Sequence, residues 1–301
     1  MTLAGSRRQL VGYSVYLVYR LMHAVCPKLP TRSGRRVFEA AGRLLFALAP
    51  GMRARVAANQ AQVLGRPPDD PLVQASAREA FAGYARYWFD TFNVLSWSDR
   101  RILDAFPFQA LDLVEKALAE GKGVVIALPH MGNWDVAGKA MAIRLAPVVS
   151  VAEHLQPEPL FELFLQHRAE LSMEIVDLAS EHVGRQLTHQ LERNRIVALV
   201  ADRDLSGGGV EVEMFGRSRR MPAGPALIAL SAGAPLLAAP IVTTPTGWAL
   251  RFRPVTAERS GKRKDDVVAL TRALAAEFER GIASSPSDWH LFQPGWDGTG
   301  R

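Results

Sequence analysis

The sequence predicts an α/β fold, in which a mostly parallel central sheet is flanked by helices and preceded by an N-terminal helical extension. Short apolar runs such as Val124–Leu128 and Ile196–Ala201 are typical of buried strands. Segments with helical patterning separate these runs, and this alternation indicates a parallel sheet. We therefore predict a single domain over residues 1–301, with an N-terminal helical part (1–100) and an α/β core (101–301).

The helical part is predicted to contain four helices, at Leu10–Ala24, Val37–Ala49, Met52–Leu64 and from Pro71 to about Val94. Gly65 closes the third helix, and Asp70 caps the fourth, which has Pro71 at its first position. The first helix is apolar on nearly all sides, whereas surface helices keep a polar face. Two interpretations stay open: the helix is buried in the protein, or its outer face lies in a membrane interface.

The α/β core is predicted from its alternating periodicity. The strands are Val124–Leu128, Val148–Ala152, Glu174–Asp177, Ile196–Ala201, Val210–Phe215, Leu236–Val242 and Trp248–Val255. The helices are Leu111–Glu120, Trp134–Leu145, Pro157–Leu171, Glu181–Arg193, Ala223–Ala232 and Asp265–Ile282. Prolines and glycines interrupt the uncharged stretch from Met221 to Leu250, so we expect core elements there and no membrane span.

Composition excludes several classes of protein. Of the 301 residues, 48% are hydrophobic and 22% are charged, which excludes disordered and collagen-like chains. The single cysteine, Cys26, excludes an intramolecular disulfide and a Cys-rich zinc site, and fits a reducing compartment. The net charge is +6, and 30 of the 36 lysines and arginines are arginines. This high arginine content suits an anionic partner, but it equally fits a GC-rich genome.

The sharpest motif directly follows a predicted strand and reads Leu128-Pro129-His130-Met131-Gly132-Asn133-Trp134-Asp135. Ligands bind at the carboxyl ends of strands in open α/β sheets, so His130 stands where a general base is expected. A sharp turn at Gly132 would bring Asp135 to the imidazole. The structural alternative is that His130 caps the strand and Asp135 suits the helix dipole.

Two further features follow other predicted strands. Asp202-Arg203-Asp204 comes after Ile196–Ala201 and leads into Ser206-Gly207-Gly208-Gly209, either a simple turn or a set of backbone amides for a phosphate or an oxyanion. Next come Arg217, Arg219 and Arg220, which form either an anionic docking point or a solvated charge cluster.

Taken together, these residues resemble a known family. The form H-x-G-N-W-D occurs in the lipid A late acyltransferase branch of the lysophospholipid acyltransferase superfamily. Further segments are similar to the actinobacterial phosphatidylinositol mannoside acyltransferases: Tyr84-Ala85-Arg86-Tyr87-Trp88, Ala201-Asp202-Arg203-Asp204-Leu205, Arg220-Met221-Pro222-Ala223-Gly224-Pro225-Ala226 and Asp288-Trp289-His290. They span most of the chain in the family's order.

The resemblance implies transfer of a palmitoyl-type chain from acyl-CoA to a mannose hydroxyl of a phosphatidylinositol mannoside. Acyl-CoA would be a co-substrate, and we expect no cofactor, no metal and no nucleic-acid partner. The implied location is the cytoplasmic face of the plasma (inner) membrane, where the protein would bind peripherally through its N-terminal helix and basic residues.

The same resemblance implies roles for individual residues. His130 is the expected general base, Asp135 belongs to the motif, and Asp202 completes the charge relay at a position where the family carries glutamate. The expected acyl-CoA-binding residues are His130, Arg168, Gly208 and Ser231. The expected substrate-binding residues are Glu153, Asn133, Trp134 and Arg220, with Trp134 and Leu128 also lining a slot for the acyl chain.

Other functions remain open at this point. A related acyltransferase would use another acceptor, such as lysophosphatidate or a lipid A precursor. A metal-dependent phosphoesterase would use His130, Asp135, Asp202 and Asp204 as ligands, although no second histidine has ligand spacing to them. A non-catalytic membrane-binding module would not depend on His130.

Overall fold

A computed structural model describes residues 3–204 and 207–296, with the backbone alone described for residues 3–11. Its N-terminal region is helical, as predicted. The helices are α1 (Leu3–Val25), α2 (Thr31–Leu48), α3 (Pro50–Leu64) and α4 (Pro71–Asn93). Gly65 ends α3 in the left-handed conformation. The Asp70 carboxylate caps α4 by accepting a hydrogen bond from the Leu72 amide at 2.8 Å.

The described part of α1 has one buried and one exposed side. Tyr19 is buried and packs edge-on against Phe92 of α4, with 4.8 Å between ring centroids. Leu17 and Leu21, on the other side, are each more than 60% exposed. The described part of α1 is therefore packed against the protein on one side and exposes large apolar side chains on the other.

The remaining elements alternate largely as expected. They are, in order, α5 (Asp99–Ala105), β1 (Phe108–Gln109), α6 (Asp112–Ala119), β2 (Val124–Leu128), α7 (Trp134–Arg144), β3 (Val148–Ala152), α8 (Glu158–Glu170), β4 (Met173–Asp177), α9 (Val183–Glu192), β5 (Ile196–Val200), β6 (Val210–Met214), β7 (Arg217–Met221), α10 (Gly224–Ala232), β8 (Leu236–Ala238), β9 (Ile241–Thr244), β10 (Gly247–Arg251), β11 (Arg253–Pro254) and α11 (Arg263–Ser284).

The main sheet confirms the predicted mostly parallel topology. Within the described residues its strand order is β11-β8-β2-β5-β3-β4, and the pairing of β11 with β8 is antiparallel while the other pairings are parallel. Every residue of β2 is buried. Alternate β2 residues enter two apolar clusters, one packed against α9, α10 and α11 and the other against α5, α6 and α7.

The register of β2 and β5 positions the chemistry. Leu128 at the end of β2 pairs with Val200 at the end of β5. His130 and Asp202 each follow these paired residues by two positions. Since the strands are parallel, both side chains leave the sheet at the same edge.

Several sequence predictions were wrong in detail. The single strand predicted over 236–242 is divided into β8 and β9, which belong to different sheets, because Pro240 cannot donate to a continuing ladder. The strand predicted over 248–255 is likewise divided, at Phe252. The arginine-rich segment 217–221 is the strand β7, paired with β6 through a turn in which Phe215 and Gly216 have positive φ. The short elements α5 and β1 were not predicted.

Candidate active site

His130 and Asp202 form the centre of the site. His130 Nδ1 lies 2.5 Å from Asp202 Oδ1. Asp202 is fully buried, whereas the His130 side chain is 22% exposed. Because Nδ1 is engaged by the carboxylate, Nε2 is the ring nitrogen that can accept a proton. An aspartate at position 202 therefore reaches the histidine, although it is shorter than the glutamate of the family pattern.

The charge on Asp202 is stabilised from several directions. Burial acts to raise the pKa of Asp202, but His130, Trp289 and Arg219 outweigh it and hold that pKa well below its usual range. The Trp289 indole Nε1 donates to Asp202 Oδ2 at 2.7 Å. An Arg219 guanidinium nitrogen donates to the backbone carbonyl of Asp202 at 2.6 Å. Asp202 is thus an ionised partner for the imidazole.

A C-terminal segment fixes the turn that carries His130. The Gly132 amide donates to the Asp288 carbonyl at 3.0 Å, and the His290 amide donates to the His130 carbonyl at 2.7 Å. Gly132 has a φ of 63°, and a Cβ there would lie 2.6 Å from the Ile241 side chain. Glycine is therefore required by both the backbone conformation and the close approach.

Asp135 faces a different set of partners. Its Oδ2 accepts a hydrogen bond from the Tyr87 hydroxyl at 2.6 Å. Its Oδ1 lies 2.8 Å from Arg168 Nε, an ion pair whose angles are not those of a hydrogen bond. Burial and Asp135 raise the pKa of Tyr87 well above its usual value, so its hydroxyl stays a donor. The turn at Gly132 therefore does not bring Asp135 to His130, contrary to the expectation from the sequence.

Two motif residues between these acids have distinct roles. Asn133 is buried and caps α7, accepting a hydrogen bond from the Val136 amide at 3.0 Å. The Trp134 ring stacks on Tyr87 with 4.2 Å between centroids and meets the His130 ring edge-on at 5.4 Å. Asn133 thus positions the helix, while Trp134 forms a wall beside the histidine.

An apolar cavity lies next to this wall, between the sheet and α7. Trp134, Leu128 and Arg168, all expected in the site, line it together with Met141, Ile241 and Phe252. The Arg168 guanidinium also lies over the Phe164 ring, with Cζ 4.4 Å from its centroid. The structure therefore brings Arg168 to this cavity, where its charge is balanced by Asp135.

The other expected binding residues lie apart from this cavity. Glu153 is exposed and directly follows β3. Gly208 lines a separate surface cavity with Leu227 and Arg263. Ser231 lies at the same surface, since its hydroxyl donates to the Leu227 carbonyl at 2.6 Å and accepts a hydrogen bond from Arg263.

The Asp204 carboxylate binds two backbone amides of the glycine-rich segment that was expected to bind an anion. The Gly207 and Gly209 amides donate to this carboxylate at 3.1 and 2.7 Å, so neither is open to an anion. Leu205 and Ser206, which belong to this segment, lie outside the described residues. Arg220 donates to the Gly207 carbonyl at 3.0 Å and lines a polar cavity with Arg203.

Three residues of the site were not assigned by sequence reasoning. Trp289 and Tyr87 occur in segments that carry the family resemblance, so their sequence context was a usable signal. Arg219 was considered only as part of a surface cluster, yet it is buried beside the Trp289 and Trp296 rings. If residues 217–221 had been predicted as a strand, the alternation of side chains would have placed Arg219 on the same face as the apolar Met221. The structure shows this arrangement, since both residues are buried.

The described residues do not support the metal set considered from the sequence. Among them, the group of His, Cys, Asp and Glu residues at metal-ligand spacing is His23, His167 and Glu170. The set His130, Asp135, Asp202 and Asp204 does not form such a group.

The fold and the site define a class of protein: an α/β enzyme whose histidine, backed by a buried carboxylate, can deprotonate a hydroxyl beside an apolar cavity. The profile of the bacterial lipid A biosynthesis acyltransferase family matches residues 4–297, and the chain belongs to this family.

Curated relatives confirm this membership. The chain is 37% identical to a phosphatidylinositol mannoside acyltransferase of Mycolicibacterium smegmatis, in an alignment that covers 98% of this chain and 95% of the relative. It is 38% identical to a phosphatidylinositol mannoside acyltransferase of Mycobacterium tuberculosis (strain H37Rv), over 89% of this chain and 84% of the relative.

Proposed function

We propose that this protein transfers a palmitoyl-type chain from acyl-CoA to a mannose hydroxyl of a phosphatidylinositol mannoside. The similarity to a phosphatidylinositol mannoside acyltransferase over nearly the full length of both chains supports this choice of acceptor. The observation that carries the chemistry is the contact between His130 Nδ1 and Asp202 Oδ1 at the carboxyl edge of the sheet. Residues 1–301 act as one domain in this proposal, because Tyr87 of the helical part contacts Asp135 of the core.

The reaction needs no acylated protein side chain, because a thioester is already activated. His130 Nε2 takes the proton of the acceptor hydroxyl as its oxygen bonds to the thioester carbonyl carbon. Asp202 stabilises the imidazolium that forms and holds the ring in the Nδ1–H tautomer. Collapse of the tetrahedral intermediate breaks the carbon–sulfur bond, and His130 returns the proton to the departing CoA thiolate.

Two cavities support the binding of the two substrates in this proposal. The cavity lined by Trp134, Leu128 and Met141 suits the acyl chain by its apolar lining. The polar cavity lined by Arg203 and Arg220 suits phosphate groups, which both acyl-CoA and the acceptor carry.

The test is release of CoA thiol from palmitoyl-CoA, measured with and without a phosphatidylinositol mannoside. We expect acceptor-dependent release that falls by about 10² to 10⁴-fold in the His130→Ala variant, the range of general-base catalysis. The control is His154→Gln, which removes another partly exposed histidine. Thiol release that is indifferent to acceptor and to His130→Ala would refute the proposal.

The acceptor class needs its own comparison. The same assay with lysophosphatidate or a lipid A precursor in place of the mannoside separates the alternatives, because each acceptor drives thiol release only if it enters the site. Faster release with either of these lipids would reassign the acceptor. A phosphoesterase would instead release inorganic phosphate from a phosphate ester in the absence of acyl-CoA.

The proposed location is the cytoplasmic face of the plasma membrane, with the protein bound peripherally. Within the described residues, none of the helices has the length and apolarity to cross a membrane. The exposed sides of α1 and α2 support surface binding, because both carry large apolar residues: Leu17, Leu21, Val37, Leu44 and Leu48. Arg20, Arg32 and Arg36 are exposed on the same two helices and suit anionic lipids.

The membrane proposal is tested with vesicles that contain anionic lipid. We expect Leu21→Gln with Leu48→Gln to weaken vesicle binding more than it slows turnover of a soluble acceptor. Leu178→Gln is the matched control, since Leu178 is 42% exposed and lies outside α1 and α2. Equal loss of binding in the control, or none in the double variant, would place the membrane contact elsewhere.

A further inference from the structure

A cluster of two histidines and a glutamate joins α1 to α8. His23 lies near the end of α1, and His167 and Glu170 occupy the last turn of α8. His23 Nε2 lies 2.9 Å from Glu170 Oε2. One ligand atom from each of the three residues lies within 4.8 Å of those of the other two.

The buried member of this cluster, His167, is the unusual one. Its side chain is fully buried, yet neither of its ring nitrogens has a hydrogen-bond partner among the described residues. Buried polar groups without partners are rare in folded proteins and call for a specific explanation. The His167 ring faces His23, with 5.6 Å between centroids, and packs against Phe92 at 4.7 Å.

From this arrangement we infer that His23, His167 and Glu170 form a binding site for a divalent transition-metal ion, with zinc as the best match. Imidazole nitrogens and a carboxylate oxygen are common zinc ligands, and three protein ligands leave a fourth position for water. A bound ion would also provide the missing partner for His167.

The three ligand atoms, now within 4.8 Å of one another, need to approach only slightly to bind one zinc ion. Ligand atoms around a tetrahedral zinc with bonds of about 2.0 to 2.1 Å lie about 3.3 Å apart. His167 is fixed by its packing, but the His23 and Glu170 side chains are 22% and 36% exposed and can rotate toward it. Glu170 Oε1 accepts a hydrogen bond from Gln166 at 3.0 Å, which orients the carboxylate.

The position of the cluster indicates what the ion would do. It would link α1 to α8, since its ligands come from both helices. Arg168, which pairs with Asp135, directly follows His167 on α8. The ion would therefore hold α1 against the core on the side of Arg168, with no part in the reaction proposed above. The two inferences are independent, because metal binding is measured without acyl-CoA or acceptor.

The experiment uses the full chain without an affinity tag, stripped with a chelator and dialysed. Zinc is titrated in competition with a chromophoric chelator, and cobalt is added separately to record the visible absorption of a tetrahedral site. We expect one equivalent of zinc to bind and to raise the thermal unfolding midpoint. His23→Gln and Glu170→Gln should each weaken zinc binding by about tenfold or more.

The matched control is His154→Gln. His154 also contacts two carboxylates, Asp177 at 2.8 Å and Glu158 at 3.0 Å, but these residues are not a group at metal-ligand spacing. This variant should bind zinc like the wild type. Failure of the stripped wild type to take up one equivalent would overturn the inference, as would unchanged zinc affinity in both His23→Gln and Glu170→Gln.

Discussion

The two buried aspartates Asp202 and Asp135 differ in what they can contribute to the site. The Asp202 carboxylate accepts hydrogen bonds from a titratable imidazole and an indole. The Asp135 carboxylate meets the Tyr87 hydroxyl and the Arg168 guanidinium, both contributed by helices that pack on the site. The acid that stands in the sequence motif thus belongs to the scaffold, and the acid 72 residues from His130 is its partner.

Charge balance explains the difference. Arg168 is a cation whose Nε lies 2.8 Å from Asp135 Oδ1, so it balances the negative charge of that carboxylate. Arg219, whose positive charge helps to lower the pKa of Asp202, bonds to the backbone carbonyl of Asp202 and not to its carboxylate. The negative charge of Asp202 therefore remains available to stabilise His130 when it gains a proton.

The largest effect is expected from Asp202→Asn, which removes the negative charge beside His130. We expect the transfer rate to fall by about 10² to 10⁴-fold, because the amide holds no charge against the imidazolium and can favour the wrong tautomer. The affinity for acyl-CoA should change little. The measurement is steady-state thiol release, with kcat and KM determined separately.

Asp202→Glu is the control for this change. It keeps the charge and restores the residue type of the family pattern, so much of the rate should return. A rate unaffected by Asp202→Asn would mean that His130 works without this carboxylate, and the two aspartates would have to exchange roles.

A smaller effect is expected from Trp289→Phe, which removes one hydrogen bond to Asp202 and keeps the aromatic ring. A hydrogen bond to a charged group contributes about 1.5 to 3 kcal/mol. The indole bond is made both before and during the reaction, so only part of this free energy should affect the rate, and we expect a rate loss of about tenfold. The thiol-release rate measures the loss. Trp296→Phe, a neighbouring buried tryptophan that stands 6.0 Å away in centroid distance, is the control.

The same variant has a predicted pH signature. The folded-state pKa of Asp202 lies below the unfolded value of about 3.9. Its contribution to stability is therefore complete above that value and is lost as the pH falls toward the folded-state pKa. Trp289→Phe raises the folded-state pKa, so acid unfolding should begin at a higher pH. An unchanged acid transition would show that the indole does not stabilise the carboxylate.

Much of the fold was predictable because its signals are local. The buried runs Val124–Leu128 and Val148–Ala152 matched β2 and β3 residue for residue. Asp70 with Pro71 marked the start of α4. The carboxyl edge of the sheet, and with it the place of His130, followed from this alternation.

What the sequence did not yield depends on contacts between distant segments. The division between β8 and β9 follows from which sheet each half joins, and β7 is a strand because it pairs with β6 despite its three arginines. The choice between Asp202 and Asp135 needed the register of Leu128 with Val200. Trp289 reaches the site because a distant C-terminal segment folds back on the His130 turn.

The smallest effect on the reaction is expected from Asp135→Asn, which tests the scaffold half of the comparison. The amide keeps the size of the side chain but leaves the buried Arg168 without its counter-charge. We expect the free energy of unfolding to fall by about 3 kcal/mol, since breaking a buried ion pair on one side costs about 3 to 5 kcal/mol and an amide restores part of it. Urea unfolding measures this loss.

The kcat of thiol release distinguishes the role of Asp135 from that of Asp202 most directly. In buffer where the Asp135→Asn variant is fully folded, its kcat should stay within about threefold of the wild type, because Asp202 still supports His130. Tyr87→Phe is the matched control, since it removes the hydroxyl that donates to Asp135 and leaves the ion pair in place. If kcat fell as far in Asp135→Asn as in Asp202→Asn while both proteins remained folded, the scaffold role of Asp135 would be refuted.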